Sequence, residues 1–127
     1  QRKFIDEAGV CAEIEALLMA TGQLAEAAAV AVPDPIKGSA LVIVCVPKAG
    51  GRSGTDFGDQ LAQAVARGLG TPYRPSRVIL VSDLPRTRNM KIMRRVVRAV
   101  YRGESPGDLS ALVNPEAVAE LQGKLGG

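Results

Sequence analysis

The sequence has no histidine and no tryptophan, and only two cysteines, two phenylalanines and two tyrosines among 127 residues. The missing histidine removes Ser-His-Asp and Cys-His activation of a nucleophile, together with every histidine-ligated metal centre. Any chemistry here must use lysine, arginine, carboxylates or backbone groups. Cys11 and Cys45 stand far apart without a C-x-x-C spacing, which argues against a disulfide framework or a thiolate metal site. Cys45 lies inside an apolar run and reads as a buried, reduced thiol, as suits a cytoplasmic protein. With so few aromatics the core has to be built from Val, Leu, Ile and Ala, and platforms for base stacking are lacking. The longest apolar run, Ala40 to Val46, has the length of a strand and not of a bilayer span, so no membrane association is expected. No secretory signal is visible, and the chain opens on Gln1 and not on Met. A processed N-terminus or a piece of a longer polypeptide is therefore expected.

What is present fits one packed domain: 46% of the residues are hydrophobic and the length is that of a single domain. Ile14, Leu17 and Leu18 recur at helical spacing and predict a helix from about Ala12 to Ala20, with Glu13 and Glu15 as stabilisers of its first turn and Gly22 beyond its end. Leu24 to Val32 and Ala40 to Val46 read as strands, joined through the turn formers Pro33 to Gly38, where Asp34 and Lys37 are expected to fix the turn. The second strand is apolar without alternation, so it needs cover on both faces. Gly50 to Gly54 reads as a surface loop. A helix from Asp56 to about Gly68 follows, capped by Thr55, and then a short β-branched strand from Arg77 to Val81. A helix from about Ile92 to Arg102 segregates Val96, Val97 and Val100 from Lys91, Arg94, Arg95, Arg98 and Arg102. After a linker, Asn114-Pro115-Glu116 has the pattern of a helix start, with Asn as cap and Pro in the first turn. The helix runs to about Gln122 and the last residues fray. The fold class is α+β: a small three-stranded sheet covered by helices on both faces.

Lys91 is the leading candidate for chemistry. It sits where a polar loop, with Arg86, Arg88 and Asn89, passes into a helical segment, a place where a cation gains nothing from the helix dipole. On spacing alone a solvated lysine remains the simpler reading.

The string Leu84-Pro85-Arg86-Thr87-Arg88-Asn89-Met90-Lys91-Ile92-Met93-Arg94-Arg95 resembles the signature that closes the adenylate-forming enzymes, written P-K-T-x-S/N-G-K and followed by I-M-R-R in acetyl- and acyl-CoA synthetases. Val32-Pro33-Asp34-Pro35-Ile36-Lys37-Gly38 is similar to the family turn V-P-D-x-x-K-G, and Ala12-Glu13-Ile14-Glu15 to its P-x-E-I/V-E helix start. Gly107-Asp108-Leu109-Ser110 and Asn114-Pro115 are similar to the tail of short-chain members. Three linked motifs in the family order make the resemblance specific.

That resemblance implies the small C-terminal domain of an AMP-forming acyl-CoA synthetase. Residues 1–103 would form the lid domain, and residues 104–127 a linker and a terminal helix packed on it or trailing it. It implies ATP, coenzyme A and Mg2+ as cofactors, bound mainly by a large N-terminal adenylation domain of the same polypeptide, and a small carboxylic acid as substrate. Lys91 would be the adenylation lysine, Arg67 a contact for coenzyme A phosphates, and Arg86 and Arg88 contacts for nucleotide or coenzyme A phosphates. The isolated domain would be inactive. The sequence departs from the family pattern at Met90, where the family has glycine, at Arg86, where it has lysine, and across Lys3 to Val10, which carry no arginine matching the family's G-x-R-V/I loop. Two other classes stand beside this reading: a non-catalytic interaction or regulatory module, and a small basic nucleic-acid-binding domain suggested by the arginine-rich helix and a sequence pI near 9.1. The resemblance itself implies no nucleic-acid partner.

Overall fold

The computed structural model describes residues 7–34, 36, 38–48 and 55–126. At its centre lies β2, Gly38–Pro47, the strand whose unbroken apolar run demands cover on both sides. It pairs antiparallel with β1, Leu24–Asp34, and parallel with β3, Arg77–Leu80, giving the order β1-β2-β3. The period-two pleat divides β2 between two cores. Val42 and Val44 turn to one face, with Ala28, Val30 and Val32 of β1. Ile43 and Cys45 turn to the other, with Ala27 and Ala29.

Two helices cover each face. Helices α1, Glu7–Ala20, and α2, Thr55–Leu69, supply Ile14, Leu18, Phe57, Leu61 and Val65 to the Ile43 face. Helices α3, Arg94–Tyr101, and α4, Pro115–Gly126, supply Val96, Val97, Val100, Val118 and Leu121 to the Val42 face. Cys45 is fully buried, and burial pushes its thiol up to about 12, which keeps it protonated at neutral pH.

Several boundaries differ from the sequence reading, among them three helix ends. Helix α1 begins at Glu7, so Glu13 and Glu15 are not in its first turn. The pattern Glu7 to Cys11 is too mixed to show periodicity, but Val10 and Cys11 still reach the core. Helix α3 starts at Arg94, not at Ile92, because Ile92 pairs with Arg86 in an antiparallel bridge and Met93 takes a non-helical conformation. Helix α4 continues through Gly126, past the expected fraying point at Gln122. Lys37, the Gly50–Gly54 loop and Lys3 to Asp6 lie outside the described residues.

Candidate functional site

Lys91 is carried on a hairpin. Residues 81–85 leave β3, and Arg86 pairs with Ile92 across an antiparallel bridge. Thr87 N–H donates to Lys91 O at 2.9 Å, and Met90 N–H donates to Thr87 O at 2.9 Å. Arg88, Asn89 and Met90 thus form a three-residue loop whose last residue must take up the bulge. Met90 does so at φ 67, the one non-glycine residue with positive φ among those described. This is the position at which the family pattern has glycine, a residue with no Cβ to be strained there. Met90 is 65% exposed, so its side chain is held by little packing.

The base of the hairpin is fixed by buried polar groups. Arg86 is only 8% exposed. Its Nη1 donates to Glu26 Oε2 at 2.8 Å, and its Nη2 donates to Glu26 Oε1 and, at 2.7 Å, to Asp83 Oδ1. The paired carboxylate of Glu26, with Asp83 assisting, holds the guanidinium pKa above its ordinary value against the opposing pull of burial. Burial pushes the Asp83 carboxyl up, but hydrogen bonds from Arg86, Asn114 and Leu84 N–H together outweigh it and hold the group below the usual carboxylate range. Where the sequence suggests phosphate contacts for Arg86, the structure commits its guanidinium to two carboxylates. A fork that already satisfies two acids inside the domain is not available to a ligand.

The sequence pattern predicts Asn114 as a helix cap, and its carbonyl does accept Ala117 N–H at 3.0 Å. Its side chain faces the other way. Oδ1 accepts Arg86 N–H at 2.9 Å, while Nδ2 donates to Leu84 O at 2.7 Å and to Asp83 Oδ2 at 3.0 Å.

From that base Lys91 projects into solvent, with no hydrogen bond or ion pair of its side chain among the described residues. The other cations of its arginine-rich neighbourhood are engaged. Arg94 pairs with Glu15, Arg95 donates to Pro106 O and Asp108 O, Arg98 Nε donates to Ala31 O at 2.8 Å, and Arg102 pairs with Glu104 at 3.2 Å. Arg88 is exposed at the hairpin tip. Arg67, exposed in the last turn of α2, donates a long hydrogen bond of 3.4 Å to Gln63 Oε1. The structure does not gather Lys91, Arg88 and Arg67 into one enclosed pocket. Two clefts, of about 670 and 520 Å3, run along the free edges of β3 and β1, and Lys91 lines neither. No cluster of three or more metal-ligating side chains occurs among the described residues, and no helix is long and apolar enough to cross a membrane.

Sequence reasoning missed Glu26, Asp83 and Asn114. Glu26 lies 60 residues from Arg86 and carries no local signal. The special backbone at Met90, by contrast, was signalled by the glycine of the family pattern.

This hairpin on a three-stranded sheet defines the class. The family model described as the AMP-binding enzyme C-terminal domain matches residues 13–91, and the chain belongs to that family. It is 42% identical over 107 residues to the acetyl-coenzyme A synthetase of Methanothrix soehngenii, a match that covers 84% of this chain and 16% of the relative. It is 36% identical over 110 residues to the 3-hydroxypropionyl-coenzyme A synthetase of Sulfurisphaera tokodaii, covering 87% of this chain and 16% of the relative. An acyl-CoA synthetase structure from Brucella canis superposes with a TM-score of 0.65 at 27% identity, over 69% of this chain and 16% of that one. The chain thus spans 16% of the length of each of these relatives.

Proposed function

We propose that this domain is the mobile C-terminal lid of an ATP-dependent acyl-CoA synthetase, converting a carboxylic acid, ATP and coenzyme A into acyl-CoA, AMP and pyrophosphate. Lys91 supplies the charge for the first half-reaction. A substrate carboxylate attacks the α-phosphorus of ATP and pyrophosphate leaves; the thiol of coenzyme A then displaces AMP from the acyl group. Negative charge builds where the carboxylate meets the α-phosphate, and an ammonium brought to that point stabilises the transition state.

One observation carries this reading: Lys91 is exposed and, among the described residues, unpaired on a hairpin whose base is fixed by buried hydrogen bonds. Such a cation can be delivered to a site on another domain with its own geometry intact. The two clefts described above do not contain it, and the substrate pocket is assigned to the large N-terminal domain proposed as its partner. ATP and Mg2+ are assigned mainly to that partner. Arg88, beside Lys91, and Arg67, on α2, are exposed cations assigned to nucleotide and coenzyme A phosphates. Arg94 and Arg102 are paired with Glu15 and Glu104, and Arg95 and Arg98 are held at backbone carbonyls, which weighs against a free basic face for a nucleic-acid backbone.

The test is a split between half-reactions. In the full-length parent, Lys91→Ala is expected to lower ATP–pyrophosphate exchange by roughly 10²- to 10³-fold, the scale of losing one transition-state donor. Thioester formation from a supplied acyl-adenylate is spared. Equal loss in both half-reactions, or none in the first, rules the assignment out. The isolated chain is expected to catalyse neither.

A further inference from the structure

We infer that Asn114 is a positioning residue for Lys91: the segment after α3 returns to the hairpin and fixes the approach of the lysine through this one carboxamide. The inference rests on Lys91 being the adenylation lysine, as proposed above. It concerns a part of the chain that the family model does not reach, since the matched residues end at Lys91 itself.

Three observations carry it. The first is where the side chain of Asn114 is directed. An Asn before Pro115 would ordinarily cap the exposed amides of its helix. Here the hydrogen bonds of its side chain go to Asp83, Leu84 and Arg86, the residues that lead into the hairpin. Three of the four hydrogen bonds a carboxamide can make are satisfied there, and Asn114 is only 6% exposed.

The second is that the contact is a continuous seam. Thr87 pairs with Leu112 in an antiparallel bridge, and Val113 N–H donates to Arg86 O at 3.1 Å. Residues 112–114 therefore line the outside of the hairpin's first limb, while Met93 N–H, donating to Pro85 O at 2.8 Å, closes its second limb.

The third is what the hairpin lacks without that seam. Its loop carries an unfavourable φ at Met90, and Arg88, Asn89, Met90 and Lys91 are all exposed. Packing at the tip cannot hold the lysine in one place. The base has to, and Asn114 ties Arg86 N–H, Asp83 and Leu84 to the segment that precedes α4. A small displacement of a catalytic group is costly, about 100-fold in rate for roughly 1 Å. Asn114 therefore acts through Lys91 without touching substrate.

The experiment uses the full-length parent. Asn114→Ala, Lys91→Ala and the double variant are each measured by ATP–pyrophosphate exchange and by thioester formation from supplied acyl-adenylate. Asn114→Ala is expected to slow the exchange by about 10- to 100-fold, to leave the thioester step close to the parent rate, and to add no further loss in the Lys91→Ala background. Amide exchange at Thr87, Met90 and Lys91 should quicken while that of β2 stays put. Unimpaired pyrophosphate exchange, equal loss in both half-reactions, or losses that add in the double variant would each overturn the inference. If the alanine variant does not fold, Asn114→Asp takes its place: it keeps the acceptor for Arg86 N–H and gives up both Nδ2 donations, and the same outcomes decide. A Lys91→Ala enzyme with normal pyrophosphate exchange would sink the assignment of Lys91 itself, so the two failures are told apart.

Discussion

Arg86 and Lys91 occupy the two limbs of one hairpin and have opposite environments: the guanidinium is buried against Glu26 and Asp83, while the ammonium is exposed and unpaired among the described residues. The two cations divide the work. One fixes the loop to the sheet, because Glu26 belongs to β1, and the other is held out on the loop, as the role proposed for it requires. Arg86→Ala would leave two carboxylates facing each other in a half-buried site. It is expected to cost roughly 3 kcal/mol, the low end for breaking a buried pair, since Glu26 and Asp83 keep some contact with water. Arg86→Lys, the residue of the family pattern, keeps the charge but not the bidentate fork, so it should recover only part of that loss. Urea unfolding of the three proteins checks this; a lysine variant as stable as the parent would show that the fork anchors nothing.

Met90 offers the opposite sign. A side chain in the left-handed region costs about 1–2 kcal/mol, and glycine there returns part of this as unfolded-chain entropy. Met90→Gly is therefore expected to stabilise the domain by up to about 1 kcal/mol, a rise in melting temperature of roughly 4 °C. Met90→Val, β-branched in the same conformation, should lower it. Calorimetry that finds both variants moving in one direction would refute a backbone cause.

Asp83 gives the clamp a pH dependence. Its carboxyl is held below the ordinary range in the folded state, where hydrogen bonds from Arg86, Asn114 and Leu84 outweigh the cost of burial. A depressed pKa means that the contribution is complete above the unfolded value of about 3.9 and fades as pH falls through the folded one. Melting temperature should thus decline below about pH 4 more steeply in the parent domain than in Asp83→Asn. Parallel acid limbs in the two proteins would remove Asp83 from the account.

The sheet was legible because its signal is local. The non-alternating run Leu41 to Val46 implied two-sided cover, and Val42 and Ile43 indeed enter different cores. Helices α2 and α3 were legible from their apolar stripes. The machinery around Lys91 was not, for a physical reason: polar loop residues have no period, and their partners come from distant segments. Glu26 lies 60 residues from Arg86 and Asn114 lies 28. Asn114 itself carried a misleading local signal, since the pattern Asn-Pro-Glu fits a cap that the side chain does not make. Glu15 misled similarly: it looked like a dipole stabiliser and proves to be a tertiary ligand.

The terminal helix tests how much of the chain the domain needs. Val118 and Leu121 of α4 lie in the same core as Val96 and Val100, and residues 112–114 hold the hairpin. Leu121→Ala is expected to cost about 2–4 kcal/mol, the usual range for a large-to-small change in a core. Truncation after Gly103 removes this core layer and the seam together, and should leave a chain that does not fold cooperatively. A truncated protein with a sharp thermal transition would instead place the domain boundary near Gly103.

Glu15 protects the sheet at its free edge. β1 pairs on one side only, and its outer backbone groups would otherwise be open to another strand. Side chains from both faces cover them. Glu15 Oε2 accepts Ala29 N–H at 2.8 Å from above, and Arg98 Nε donates to Ala31 O at 2.8 Å from below. Arg94 holds Glu15 in place, its Nε donating to the same Oε2 at 2.7 Å. Glu15→Ala leaves one amide without its acceptor and one guanidinium without its partner, at a cost of about 1–3 kcal/mol. Glu15→Gln can still accept from Ala29, so it should recover part of this loss. Because the exposed element is a strand edge, the alanine variant is also expected to self-associate as its concentration rises, where the glutamine variant does not. Light scattering separates this from simple instability: a monomeric Glu15→Ala protein at high concentration would show that the edge needs no cover.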